Sequence, residues 1–198
     1  MQQTLELCDW RRQLAELYAH VRAERDPAEG HRIWCDGRDQ LLREHPQSPL
    51  PPDSPLRGSG LRYWPYAADL RFTAPLEPAP AEERSVESSN DGVIRLRRVG
   101  RVRLDALDVS LDVWWLAQYA GGLFLPMRDG TAGSDTYGGG RYLLDTAKGA
   151  DLGGGDGRIV VDLNFAYHPS CRYNSAWECP LAPDGNTTAI PVRAGERM

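Results

Sequence analysis

Leu107–Trp115 reads LDVSLDVWW. Leu107, Val109, Leu111 and Val113 alternate with Asp108, Ser110 and Asp112, the period of two by which a strand buries one face and wets the other. Segments of the same kind surround it. Upstream, VIRLRRV and RVRLDA flank Gly100 and predict a hairpin, and Ser88-Ser89-Asn90-Asp91-Gly92 is a turn signal ahead of them. LRYWPY and ADLRFTA predict a strand pair broken at Pro65. Downstream, YAGGLFLPM follows a turn at Gly121-Gly122, and GRYLLDT and RIVVDLNFAY are two more strands. TTAIPVRA closes the series, with Pro191 implying an edge. About eight to nine short strands with mostly short connections predict a mainly β fold, an antiparallel β-barrel or sandwich.

Ahead of the strands the period changes. Leu7, Trp10, Leu14, Leu17, Tyr18 and Val21 recur at spacings of three and four, one stripe of an N-terminal α-helix within residues 1–26 that Thr4 can cap. Residues 31–45 can hold a second short helix, with Trp34, Leu41 and Leu42 inward. Prolines at 46, 49, 51, 52 and 55 make residues 46–60 an extended strap. The β region is 61–198, and the whole of 1–198 is read as a single domain, which a chain of 198 residues can fill without staples.

Composition narrows the function classes. A net charge of -5 with no basic cluster argues against nucleic acid as partner. Arg95, Arg97, Arg98, Arg101 and Arg103 alternate with apolar residues, as the solvated face of a hairpin would. No leading apolar run and no apolar stretch of spanning length occur, so neither a signal peptide nor a membrane partner is expected, and a cytoplasmic location is. In that compartment Cys8, Cys35, Cys171 and Cys179 are expected as thiols. No phosphate-loop, dinucleotide or nucleophile-elbow pattern is present, so no cofactor is assigned.

The chemistry gathers in residues 123–183. Twelve of the 20 glycines lie between Gly121 and Gly157, and Gly138-Gly139-Gly140 stands directly before Arg141. Such a run either lines an anion pocket with backbone N–H groups or makes a wide turn. Arg128 and Arg141 can clamp an anionic group, with Asp129 as base or orienting partner; alternatively Asp129, Thr131 and Ser134 hold their own loop. Asp162 and Asn164 share the face opposite Val161 and Leu163, and must be hydrogen-bonded if enclosed, with Arg141 or Tyr137 as natural partners. His168, Cys171 and Cys179 are a third set, readable as a metal site, as a Cys–His nucleophile or as packed thiols beside Tyr173 and Trp177.

Taken together these stretches resemble domain-of-unknown-function family 1684, whose bacterial and archaeal members carry segments like RDxTxGxxTYGGGRYL and DxNxAYxPxCxYxxxxxCPLPPxxN. Here the first stands at Arg128-Asp129, Thr131, Gly133 and Thr136–Leu143. The second stands at Asp162, Asn164, Ala166-Tyr167, Pro169, Cys171, Tyr173, Cys179-Pro180-Leu181, Pro183 and Asn186. The chain departs at His168, where the family tends to have asparagine, which weighs against a shared metal site. The resemblance implies no activity, but it implies that these elements belong around one pocket.

The expected function is therefore a small-molecule, anion-binding pocket. Asp129, Asp162 and Arg141 are the candidate catalytic groups. Arg128, Thr131, Tyr137, Gly139, Gly140, Tyr142, Asn164 and Tyr167 are the candidate ligand contacts. Two alternatives stand beside it: a non-catalytic interaction module in which the same residues form an internal network, and a metal site on Cys171, Cys179 and His168.

Overall fold

A computed structural model describes residues 1–87, 93–117 and 121–198. The Ser88–Gly92 turn signal lies outside the described residues. The chain opens with two packed helices, α1 (Gln2–Ala23) and α2 (Pro27–Glu44). Met1 stands at the first cap, so Thr4 lies inside the first turn instead of capping it. The second helix begins earlier than the apolar pattern implies. Asp26 caps it, accepting from Ala28 N–H at 3.0 Å, and Pro27 takes the first helical position, where no N–H is needed. A Cβ at Gly37 would stand 2.6 Å from Leu17 Cδ1, so glycine there lets the helices approach closely. Leu17, Tyr18 and Val21 join Trp34 and Leu41 in an apolar cluster that includes Ala150, Leu152 and Phe165. The strap follows, with a single turn α3 (Leu56–Ser59). Arg57 pins it by donating to the carbonyls of Pro51, Leu50 and Arg43.

Among the described residues ten strands follow, in three antiparallel sheets. They are β1 (Arg62–Tyr63), β2 (Arg71–Pro75), β3 (Glu83–Glu87), β4 (Val93–Leu104), β5 (Val109–Leu116), β6 (Leu123–Met127), β7 (Arg141–Asp145), β8 (Gly154–Gly155), β9 (Arg158–Asp162) and β10 (Glu196–Arg197). The main sheet runs β3-β4-β5-β6-β7, a second runs β2-β9-β8, and β1 pairs with β10. Leu111 and Val113 of β5 share one apolar core with Leu143 of β7 and Val161 of β9, so residues of the first two sheets meet there. No closed barrel forms among the described residues.

Three strand expectations change. Gly100 is not a hairpin turn; it sits at a bulge inside the continuous β4. A Cβ there would come within 2.7 Å of the Glu77 carbonyl, so the glycine serves a close crossing of chains. The segments around Pro65 do not pair with each other, because β1 pairs with β10 and β2 with β9. TTAIPVRA makes only the bridge Thr187–Arg128; the last strand comes afterwards, at Glu196–Arg197.

The quoted stretch behaves as its period requires on one face. Val109, Leu111 and Val113 are buried in the core. Asp112, on the other face, is buried as well, held by Arg98 at 2.9 Å and Arg101 at 2.8 Å. Two arginines of the alternating stretch therefore neutralise a carboxylate that would be costly to bury alone.

Candidate functional site

The two Arg–Asp motifs meet at the start of β7. Arg141 is opposite Met127 in the β6–β7 register, so its side chain reaches Asp129, just past β6. Arg141 Nη2 donates to Asp129 Oδ2 at 2.7 Å and to the Val192 carbonyl at 2.9 Å. Its Nη1 donates to the carbonyls of Ala194 and Glu196. The other Asp129 oxygen accepts from Thr131 N–H at 2.8 Å, Thr131 Oγ1 at 2.6 Å and Val192 N–H at 3.2 Å. Burial pushes the Asp129 carboxyl up, but Arg141 and Thr131 outweigh it and hold it below its ordinary value. The Arg141 side chain is 0% exposed. Asp129, Thr131 and Arg141 thus form an internal strut that ties the C-terminal segment to the main sheet.

The glycine run beside the strut is a turn. Gly140 N–H donates to the Tyr137 carbonyl at 2.9 Å, and the Gly138 carbonyl accepts from Arg128 Nε at 2.9 Å. A Cβ at Gly139 would stand 2.5 Å from the Tyr137 ring. Gly140 has φ +90°, and a Cβ there would stand 2.6 Å from the Met127 carbonyl. Gly140→Ala is expected to lower unfolding free energy by about 1–3 kcal/mol in urea denaturation, from left-handed strain plus overpacking. An unchanged midpoint would count against this view of the turn.

Asp162 and Asn164 form a separate network. Asp162 accepts from Arg71 at 3.0 Å, and from Asn164 through both its backbone N–H at 3.0 Å and its amide at 2.8 Å. Asn164 in turn pairs with Ala67 N–H and carbonyl, each at 2.9 Å. The partner of Asp162 is therefore Arg71, not Arg141 or Tyr137, because the chain turns into a 3-10 helix at Leu163 and redirects this face.

Glu196, given no site role in the sequence reading, is the hub of a third network. It accepts from Arg38 Nη2 at 2.8 Å, His168 N–H at 2.9 Å, His168 Nδ1 at 3.0 Å and the Tyr173 hydroxyl. The other histidine nitrogen, Nε2, accepts from Tyr137 N–H at 3.2 Å, which assigns the Nδ1–H tautomer. Both ring nitrogens of His168 are thus engaged away from Cys171 and Cys179. Among the described residues no group of three or more His, Cys, Asp or Glu side chains is placed to hold a metal ion.

Next to this hub lies a cavity of about 50 Å³, between α1 and α2 on one side and β7 with the Tyr167–Tyr173 segment on the other. Arg38, Tyr142, Asp145, Lys148, Tyr167 and Tyr173 are among its walls. Two of the expected ligand contacts, Tyr142 and Tyr167, come to it. Arg128, Asp129, Thr131, Tyr137, Gly139, Gly140, Arg141, Asp162 and Asn164 do not. Arg38 and Asp145 each carry a buried polar atom, Nε and Oδ1, with no hydrogen-bond partner among the described residues. Asp145 is 2% exposed, and its other oxygen stands 3.5 Å from Lys148 Nζ.

The sequence model of a family described as "Protein of unknown function (DUF1684)" matches residues 58–197. The chain belongs to DUF1684. The solution NMR structure of the uncharacterized protein from gene locus rrnAC0354 of Haloarcula marismortui is similar to this DUF1684 chain. The two are 36% identical with a TM-score of 0.59, over 83% of this chain and 90% of that one. No curated protein matches.

In this DUF1684 chain the cavity joins the matched region to the helices ahead of it, since Arg38 precedes Gly58 while Tyr142, Asp145 and Tyr167 lie within the match. Its phenols are proton donors: burial pushes Tyr18, Tyr142 and Tyr167 above their ordinary values. Tyr142 gives its proton to the Pro180 carbonyl at 2.6 Å. Tyr18 accepts from Trp34 Nε1 at 3.1 Å, which leaves its own proton to donate. Arg38 stacks 4.7 Å above the Tyr167 ring, which fixes the guanidinium at the wall. A larger open groove of about 660 Å³ runs along α1 and α2, but Glu6, Asp9, Glu16 and Glu44 line it, so it does not suit an anion. No helix among the described residues is long and apolar enough to cross a membrane.

Proposed function

We propose that this protein binds a small anionic metabolite in the cavity between the helical pair and β7. The observation that carries the reading is a pair of unpartnered, oppositely charged groups that face the cavity from its two sides, Arg38 with its Nε on α2 and Asp145 with its Oδ1 on β7. The third such atom among the described residues, Arg141 Nε, lies in the strut away from this cavity. A buried polar atom left unsatisfied costs about 1–3 kcal/mol, and more when charged, so two on one cavity are a prepared contact surface. Arg38 and Lys148 present positive charge to an anionic oxygen. Asp145 asks for a donor on the same ligand. A hydroxy- or amino-carboxylate supplies both. A water-sized site needs about 10–15 Å³ of such volume, so the cavity takes a group of only a few heavy atoms. The anion clamp thus passes from Arg128 and Arg141 to Arg38. The carboxylate available for proton transfer to a bound ligand is Asp145, in place of Asp129 and Asp162.

Asp145→Asn tests the reading. It keeps the shape of the wall and removes the charged acceptor. Binding of a small hydroxy- or amino-carboxylate, followed by calorimetry or thermal shift, is expected to weaken about 10- to 100-fold, the worth of one hydrogen bond to a charged group. Stability without ligand should hold or rise, because a poorly partnered buried charge is lost. Strong destabilisation of the ligand-free variant would instead make Asp145 part of an internal network and overturn the proposal.

A further inference from the structure

Cys171 and Cys179 have no role in the strut, the Glu196 hub or the cavity wall, yet the fold brings them together. Both are unbridged, and Cys171 N–H donates to Cys179 Sγ at 3.4 Å across a loop of nine residues. Both pack in the apolar cluster around Trp114, Phe124 and Tyr142, while Cys8 is exposed on α1 and Cys35 lies in another cluster. Cys179 is buried and Cys171 half-buried, so the pair meets solvent on the Cys171 side.

We propose that Cys171 and Cys179 are a reversible dithiol–disulfide site oxidised by a peroxide, a property independent of ligand binding in the cavity. The Cys179 sulfur attacks the peroxide O–O bond, forming an S–O bond and releasing one oxygen as water once it takes the thiol proton. The Cys171 sulfur then attacks Cys179, the S–S bond forms, and the second oxygen leaves as water with the Cys171 proton. Two thiols are oxidised by two electrons and the peroxide is reduced to two waters. The order of attack follows from the surroundings. Cys179 Sγ accepts from the Cys171 N–H, and hydrogen bonding from Cys171 with the charge of Lys148 outweighs burial and holds the Cys179 thiol below its ordinary value, while Cys171 is pushed up. Cys35, by contrast, is raised to about 12, chiefly by burial. The closed ring would contain Tyr173, which donates to Glu196, so the bridge fixes a loop already tied to the hub.

The test is thiol blocking and peptide mapping of the full-length protein after hydrogen peroxide. The expected result is loss of two of the four blockable cysteines, with a linked Cys171–Cys179 peptide that a dithiol reductant reverses. In Cys171→Ser, which keeps the backbone N–H contact, Cys179 should instead accumulate as a sulfenic acid trapped by a dione probe. A wild-type map in which both cysteines remain blockable, or in which each oxidises separately to sulfinic acid, would overturn the site whether or not the variant folds.

Discussion

Arg141→Met is expected to destabilise the protein by about 3–5 kcal/mol, the effect of breaking a buried ion pair from one side. The Asp129 carboxylate would stay buried with only Thr131 and Val192 as donors. The carbonyls of Val192, Ala194 and Glu196 would lose the guanidinium that gathers them. Against a total stability of about 5–15 kcal/mol, such a loss leaves a marginal fold. Urea denaturation at neutral pH measures it. Adding Asp129→Leu to Arg141→Met should recover part of the loss, because the stranded charge goes too. A loss below about 1 kcal/mol would mean that the guanidinium is not an integral strut.

Local pattern made part of this fold legible. The alternation in Leu107–Trp115 and the stripe from Leu7 to Val21 each report one buried face, and β5 and α1 follow from them. Pairing is a different matter. Arg62 meets Arg197 and Arg71 meets Asp162, and nothing within a short window distinguishes those partners from a local hairpin. Gly100 misleads for a related reason. A turn and a close crossing both need glycine, and only the crossing chain at Leu76 and Glu77 tells them apart.

The site was half legible. The motif residues divide among several places: Asp129, Thr131 and Arg141 form the strut, Asp162 and Asn164 pair with Arg71 and Ala67, and Tyr142 and Tyr167 reach the cavity. The groups that face the cavity were hidden by type. Arg38 reads as one more charge in a polar helix. Its position was a signal, because Arg38 falls on the inward stripe with His31, Trp34 and Leu41. A charge on such a stripe must find a partner, and Glu196, far away near the C-terminus, is that partner. Asp145 was masked in the same way, as the last residue of a strand whose five positions are all buried.

Glu196 then predicts how the protein responds to acid. Burial alone would push its carboxyl up, but Arg38 and the hydrogen bonds from His168 outweigh it and hold it at about 2, against an ordinary 4.5. The folded state therefore binds this proton less readily than the unfolded chain. The resulting stability is fully present above pH 4.5 and is lost as pH falls toward 2. Linkage makes it about 3 kcal/mol. Glu196→Gln keeps the size of the side chain but faces Arg38 and Tyr173 with a neutral amide. At neutral pH the variant should be less stable than the wild type by about that amount, about 3 kcal/mol by the same linkage. The gap should close as both are taken to acid, because the wild type surrenders what the variant already lacks. Asp129, held low by Arg141, keeps some acid sensitivity in both proteins and cancels from the difference. A difference in unfolding free energy that stayed constant from neutral pH into acid would remove Glu196 as the titrating hub and leave its network as packing alone.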